Sequence, residues 1–267
     1  MPEQSEIMRV LTASPVDLMR SLFKPGEGVA VPSDPLHTDV PILRGAEVAA
    51  VYYKQRVAGD FYEFLRVGPS RVLFGLLDLA GRRENTRKTL IAAQNCFRTS
   101  GLQLFAGDVL NEAEAVIELS HRINRTILEV NEGVRTCPAF IGCYNEDLGT
   151  VCYTNAGYTP GLLRDPSGIA TLEATGIPLG LFSHATYSAS TCGMIPGAML
   201  LMVSRGIVEA EFGGEEFGLE RVRECLQQPL VETAQELCLR VLDTTQTFLR
   251  LPPLHNDVTT LALLRNL

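Results

Sequence analysis

Residues 60–79 read DFYEFLRVGPSRVLFGLLDL, and the division of this stretch decides the fold. Residues 60–67 are rich in Phe, Tyr and Leu, and residues 71–79 are almost continuously apolar, as expected of a strand covered on both faces. Only Gly68, Pro69 and Ser70 lie between them, so the reading is two strands joined by a short turn. A third strand, AEVAAVYYK at 46–54, comes just before.

Further along, the apolar period lengthens. Residues 84–104 put Leu90, Ala93 and Phe97 on one side of a helix. Residues 108–130 do the same with Ala113, Val116, Ile117, Ile123 and Ile127. Strand signals return at 139–144, 150–155, 161–164, 187–192 and 198–203, with turns at 147–149, 165–168 and 196–197. Residues 232–249 form an amphipathic helix with stripe residues Ala234, Leu237, Val241, Leu242 and Phe248, and Thr233 and Glu236 have capping-box spacing. A last strand covers 257–264. Strands in groups with helices in blocks predict an α+β architecture of antiparallel sheets covered by helices, whereas a doubly wound parallel sheet would alternate the two. Residues 4–24 suggest one or two short helices around Pro15, and residues 26–41 are rich in Pro and Gly. The expected organisation is an N-terminal helical segment and linker, 1–42, followed by one domain, 43–267.

Charge and cysteine usage narrow the function. A net charge of -8 argues against nucleic acid or an anionic membrane as partner, since both favour a basic patch. Seven cysteines with no C-x-x-C spacing read as small apolar residues of a reducing compartment, and no apolar run reaches the ~20 residues that span a bilayer. A cytoplasmic location is expected. The four histidines are scattered, no serine sits in a G-x-S-x-G elbow, and there is neither a Walker loop nor a G-x-G-x-x-G.

Two aspartates stand out, Asp60 opening a strand and Asp78 closing one. A carboxylate at a core edge must be paired, hydrogen-bonded or bound to metal, so each is either a local backbone acceptor or part of a metal or phosphate site. Beyond Asp78, Arg82, Arg83, Arg87 and Lys88 head a helix, where cations and free N–H groups suit a phosphate; a solvated first turn partnered by Glu84 is the plainer reading. The stretch LLMVSRGIVEAE, 200–211, ends a buried strand on Arg205.

Together the blocks VAGDFYEFL (57–65), LLDLAG (76–81), NAGYTPGLL (155–163), GIPLGL (176–181), PGAMLLMVSRGIVEAE (196–211) and NDVTTLALL (256–264) resemble, in order, the PPM-type metal-dependent protein phosphatases. The branch resembled is the bacterial one typified by stage II sporulation protein E and the stress-response regulators of anti-sigma-factor antagonists. The resemblance implies an α-β-β-α sandwich and removal of phosphate from phosphoserine or phosphothreonine with two Mn²⁺ or Mg²⁺ ions, which carboxylates hold and which activate a bridging water. It makes Asp60 and Asp78 metal ligands, with the Leu79 carbonyl beside them. Two further ligand positions read Arg205, in Ser204-Arg205-Gly206, and Asn256, in Asn256-Asp257, and each has lost its aspartate. A guanidinium ~4 Å from a cation costs about 4 kcal/mol even at an effective dielectric of ~20, so the second metal site is expected to be broken. Asp257 replaces Asn256 only if the strand shifts by one residue.

Three readings follow, the plainest being a structural or sensory module whose old active site is only a folded core edge; the remaining two differ in chemistry. In one, a pseudophosphatase keeps the sandwich, Arg205 pairs with Asp60 or Asp78, no metal is used, and Arg82, Arg83 and Arg205 meet a phosphorylated regulatory partner such as an anti-sigma-factor antagonist. In the other, the chain is a weak Mn²⁺- or Mg²⁺-dependent phosphatase on a reduced site. A homodimer through the N-terminal segment is a further expectation of the resemblance.

Overall fold

The computed structural model describes residues 39–53, 59–80, 83–107, 110–130, 134–228, 231–250 and 257–267. The expected segment 1–42 lies almost wholly outside them. In chain order, β1 (Ala46–Tyr53), β2 (Gly59–Arg66) and β3 (Arg71–Leu79) lead into α1 (Arg83–Leu104) and α2 (Glu112–Val130). Then come β4 (Ala139–Asn145), β5 (Thr150–Ala156), β6 (Gly161–Asp165), β7 (Gly168–Leu172), β8 (Ser190–Gly193) and β9 (Met199–Val203). A short α3 (Arg205–Val208), a hairpin of β10 (Glu211–Phe212) and β11 (Glu215–Glu216), α4 (Gly218–Gln227), α5 (Ala234–Phe248) and β12 (Val258–Arg265) complete the described chain.

Two five-stranded antiparallel sheets result, ordered β1-β12-β9-β6-β7 and β2-β3-β4-β5-β8. Side-chain alternation divides the apolar residues between two layers. Tyr62 and Phe64 of β2, Val72, Phe74 and Leu76 of β3, Leu200 and Met202 of β9 and Leu261 and Leu263 of β12 fill the space between the sheets. The opposite faces of β2 and β3, carrying Phe61, Leu73 and Leu77, pack on Leu90, Ala93 and Phe97 of α1 and on Val116, Leu119, Ile123 and Ile127 of α2. On the other side of the molecule α5 packs on β1 and β12, and the Cys238 thiol reaches the Ala49 carbonyl at 3.6 Å. The architecture is the expected α-β-β-α sandwich. Each fully buried Leu or Phe in these layers stabilises the fold by roughly 1.5–3 kcal/mol.

Several elements were not foreseen. The turn at 165–168 was, but not β7 behind it, where only Leu172 is buried. The amphipathic α4 was also missed; it buries Val222, Cys225 and Leu226. Ile117, placed on the buried stripe of α2, is half-buried, while the polar Ser120 and Asn124 are buried instead. Thr233 caps α5 as expected by accepting from the Glu236 N–H at 3.1 Å, but Glu236 reaches back to the Glu232 N–H rather than to that of Thr233. All seven cysteines are free.

Gly142 is fixed by packing. Its cross-strand partner Phe74 lays its ring so close that a Cβ there would sit 2.3 Å from Phe74 Cζ. Phe74 stacks on Phe140, and Phe140 on Tyr153, at centroid distances of 6.2 and 5.0 Å.

At the end of the sandwich away from Asp60 and Asp78, Glu146 closes the β4–β5 connection. Its carboxylate accepts from Arg66 Nη2 at 2.9 Å and Nη1 at 3.1 Å, and from the Arg44 N–H at 2.9 Å. These bonds, the Arg66 pair foremost, hold the Glu146 carboxyl down to about 2. A carboxyl depressed by folding stabilises the native state above its unfolded pKa, and that stability is lost as pH falls through the folded value. Urea unfolding measured across pH 5 to pH 2 should therefore lose about 2 kcal/mol that the Glu146→Gln variant, already weaker at neutral pH, does not lose.

Candidate functional site

The inward phase of the strands, carried to the other end of the sandwich, brings acids together. Asp60 and Asp78 are cross-strand partners in the β2–β3 ladder and share the inward face with Tyr62 and Leu76. They are 5% and 7% exposed, so each carboxylate is largely out of water. Counting back in twos from Leu263 and Leu261 of β12 reaches Thr259 and Asp257, which are also inward, buried residues. The Tyr52 hydroxyl donates to Asp257 Oδ2 at 2.9 Å. From β9 the same count passes Leu200 and Met202 to Ser204, which is fully buried and exchanges two bonds with Thr259: Ser204 N–H to the Thr259 carbonyl at 2.8 Å, and Thr259 N–H to Ser204 Oγ at 2.9 Å. The Thr259 hydroxyl has no hydrogen-bond partner among the described residues.

Arg205 is the first residue of α3, half-exposed at the mouth of this group. Its Nη2 lies 3.1 Å from Asp78 Oδ2. Its Nε lies 3.8 Å from Glu209 Oε1, one helical turn on. The guanidinium thus bridges a buried carboxylate and an exposed one.

The electrostatics follow from crowding. Burial pushes the Asp60 carboxyl well above the usual carboxylate range; the charges of Asp78 and Asp257 push it further, and the Ser204 hydroxyl pulls it back. Tyr158, buried at the same place and fixed by its N–H to Asn155 Oδ1 at 2.8 Å, has its hydroxyl pushed up by burial, then by Asp60 and Asp78. Of these acids, Asp78 makes the contact with the guanidinium.

Backbone geometry explains the glycine of the Gly59-Asp60 pair. A Cβ on Gly59 would stand 2.5 Å from the Leu79 carbonyl oxygen and 2.7 Å from Leu79 Cβ. Only glycine lets β2 approach β3 so closely beside Asp78. The segment past β3 is fixed by Asp78 N–H to the Pro138 carbonyl at 2.9 Å and Ala80 N–H to that of Thr136 at 3.0 Å. Behind these, Cys137 and Leu179 exchange backbone bonds at 2.8 and 2.9 Å, which ties the GIPLGL loop to the site.

A family model described as stage II sporulation protein E (SpoIIE) matches residues 78–266, more than half the chain. The chain belongs to the SpoIIE family. It is similar to RsbU of Bacillus subtilis, named a phosphoserine phosphatase, at 24% identity over 238 residues that cover 86% of this chain and 66% of that protein. Among solved structures it shares its fold with the PP2C domain of SiaA from Pseudomonas aeruginosa, with a TM-score of 0.67 at 16% identity over 80% of this chain and 84% of that one. It shares it too with the catalytic domain of the serine/threonine phosphatase PstP, solved with two manganese ions, with a TM-score of 0.57 at 13% identity over 82% of this chain and 97% of that one. The chain spans 33% to 66% of the length of the curated relatives it matches.

On this SpoIIE-family frame the described residues set a guanidinium against one of the two candidate metal carboxylates. Asp60 and Asp78 meet, but the guanidinium of Arg205 occupies the outer oxygen of Asp78. Among the described residues no three His, Cys, Asp or Glu side chains stand close enough to hold an ion. Asn256 and Arg82 lie outside the described residues, as does the side chain of Arg83, which opens α1. Sequence reasoning treated Asp257 as usable only after a strand shift; the observed phase of β12 turns it inward without one. Tyr52, Tyr158 and Ser204 were not singled out as site residues. Ser204 was legible by counting from Leu200, whereas Tyr52 and Tyr158 depend on contacts distant in sequence.

Gly59→Ala should lower stability by about 2 kcal/mol in urea unfolding, because backbone cannot give way as a flexible side chain can. A variant as stable as the wild type would mean that β2 and β3 are not held so closely at the site.

Proposed function

We propose that this SpoIIE-family chain is a regulatory protein that binds a phosphoserine- or phosphothreonine-bearing partner on a phosphatase frame and turns it over weakly or not at all. The observation that carries the reading is the 3.1 Å contact between Arg205 Nη2 and Asp78 Oδ2, which puts a fixed positive charge against a carboxylate that would otherwise serve a metal ion. A guanidinium offers planar, paired donors to a phosphoryl group, and half of Arg205 faces solvent. Arg82 and Arg83 are two further candidates for the same phosphate. The family resemblance suggests an anti-sigma-factor antagonist as the partner.

Asp257 favours a second reading. It is a third acid close to Asp60 and Asp78, and hard Mn²⁺ or Mg²⁺ ions favour such clustered carboxylates. On that reading the protein is a metal-dependent serine/threonine phosphatase with a reduced site.

Calorimetric titration with Mn²⁺ together with a phosphoserine-peptide phosphatase assay separates the two. The binding reading expects no metal uptake at micromolar Mn²⁺ and no metal-dependent turnover; finding both would overturn it. The double variant Arg205→Asp/Asn256→Asp should gain Mn²⁺ binding by restoring two carboxylates. An intact fold that still ignores the metal would count against the assignment of these two positions.

A further inference from the structure

Arg205 is held from two sides by unequal partners. Asp78, with a side chain only 9% exposed, lies on a buried strand and takes Nη2 at 3.1 Å, within hydrogen-bond distance. Glu209 is 47% exposed, ends the four-residue helix α3, and faces Nε at 3.8 Å, an ion pair too long for a hydrogen bond. The single turn, closed by the Glu209 N–H to the Arg205 carbonyl at 2.9 Å, keeps this second carboxylate on the solvent side of the guanidinium. That is the side from which a phosphoryl group would have to arrive.

We infer that Glu209 is a built-in competitor for Arg205: a tethered, exposed carboxylate beside the guanidinium that sets how tightly the site takes a phosphoryl group. The inference rests on Arg205 being the phosphoryl contact. Asp78 orients the guanidinium and stays in place, because leaving it unpaired beside Asp60 is costly. Glu209 is solvated and loosely paired, so a phosphoryl group with more charge and more acceptor oxygens displaces it. While it remains, it offsets the charge of Arg205 and repels the incoming dianion. The site is thus biased against weak anions and opens to a ligand whose other contacts hold the phosphate in place.

The test is a calorimetric titration of the full chain with inorganic phosphate at neutral pH, comparing wild type, Glu209→Gln, Glu209→Asp and Arg205→Gln, with thermal unfolding to establish that each is folded. Glu209→Gln should bind about fivefold tighter, the fold-change matching about 1 kcal/mol for an exposed pair. Glu209→Asp, which keeps the charge on a shorter arm, should fall between it and wild type. The gain should shrink at high salt, as a screened charge effect does and a packing effect does not. If Arg205→Gln loses binding while Glu209→Gln binds no better than wild type, the competitor is overturned and the phosphate contact stands. If Arg205→Gln binds as well as wild type, the phosphate contact itself is overturned. Absence of binding by folded Glu209→Gln overturns the competitor.

Discussion

The phase of side chains along four strands governs this molecule. In β2, β3, β9 and β12 every second residue points between the two sheets, and for most of their length those residues are Leu, Met, Phe, Tyr or Val. The same alternation, continued to the strand ends, turns Asp60, Asp78, Ser204 and Asp257 into one small volume. Core and site are therefore parts of a single pattern. A one-residue slip in any of these strands would bury polar groups in the wrong layer and empty the site, so the packing that stabilises the sandwich also fixes the register of the acids.

Concentrating carboxylates at a core edge costs stability, and the fold meets that cost in three ways. Tyr52 donates to Asp257, Ser204 acts on Asp60, and Arg205 supplies a positive charge to Asp78. The compensation is incomplete, as the upward push on Asp60 indicates. At the opposite end, Glu146 is a buried carboxylate fully supplied with donors, and its carboxyl is pulled down instead. One scaffold thus has a saturated acid, Glu146, at one end and an acid pushed up by burial and its neighbours, Asp60, at the other. Incomplete compensation is what a site needs if something else is to bind there.

The long apolar strands and the α1, α2 and α5 stripes were legible because burial leaves a periodic signature, and two-sided burial of β3 and β9 leaves an unbroken apolar run. Their order pointed to antiparallel sheets covered by helices, and the family resemblance implied the sandwich. What escaped was β7 and the β10–β11 hairpin, which are short and mostly not buried, and α4, whose apolar stripe is only three buried residues long. Asp60, Asp78 and Arg205 were legible because charge at the end of an apolar strand is conspicuous. The inward turn of Asp257 was harder, because both faces of VTTLALL are buried and the sequence alternates too weakly to show which residues face the other sheet. Register against β9 supplies that phase, and register is a long-range property.

Arg205 shows why a guanidinium in such a site affects more than one interaction. Replacing a carboxylate by a guanidinium shifts the local charge by two units, and the effect depends on what already surrounds it. Here the guanidinium finds Asp78 on its buried side and Glu209 on its open side. The buried pair fixes where the guanidinium points, whereas the exposed pair contributes little to the fold and is free to exchange for another anion. The stability of the site and its responsiveness thus lie on opposite faces of one side chain. The strands set where Asp78 stands, and Asp78 in turn sets where the Arg205 guanidinium points.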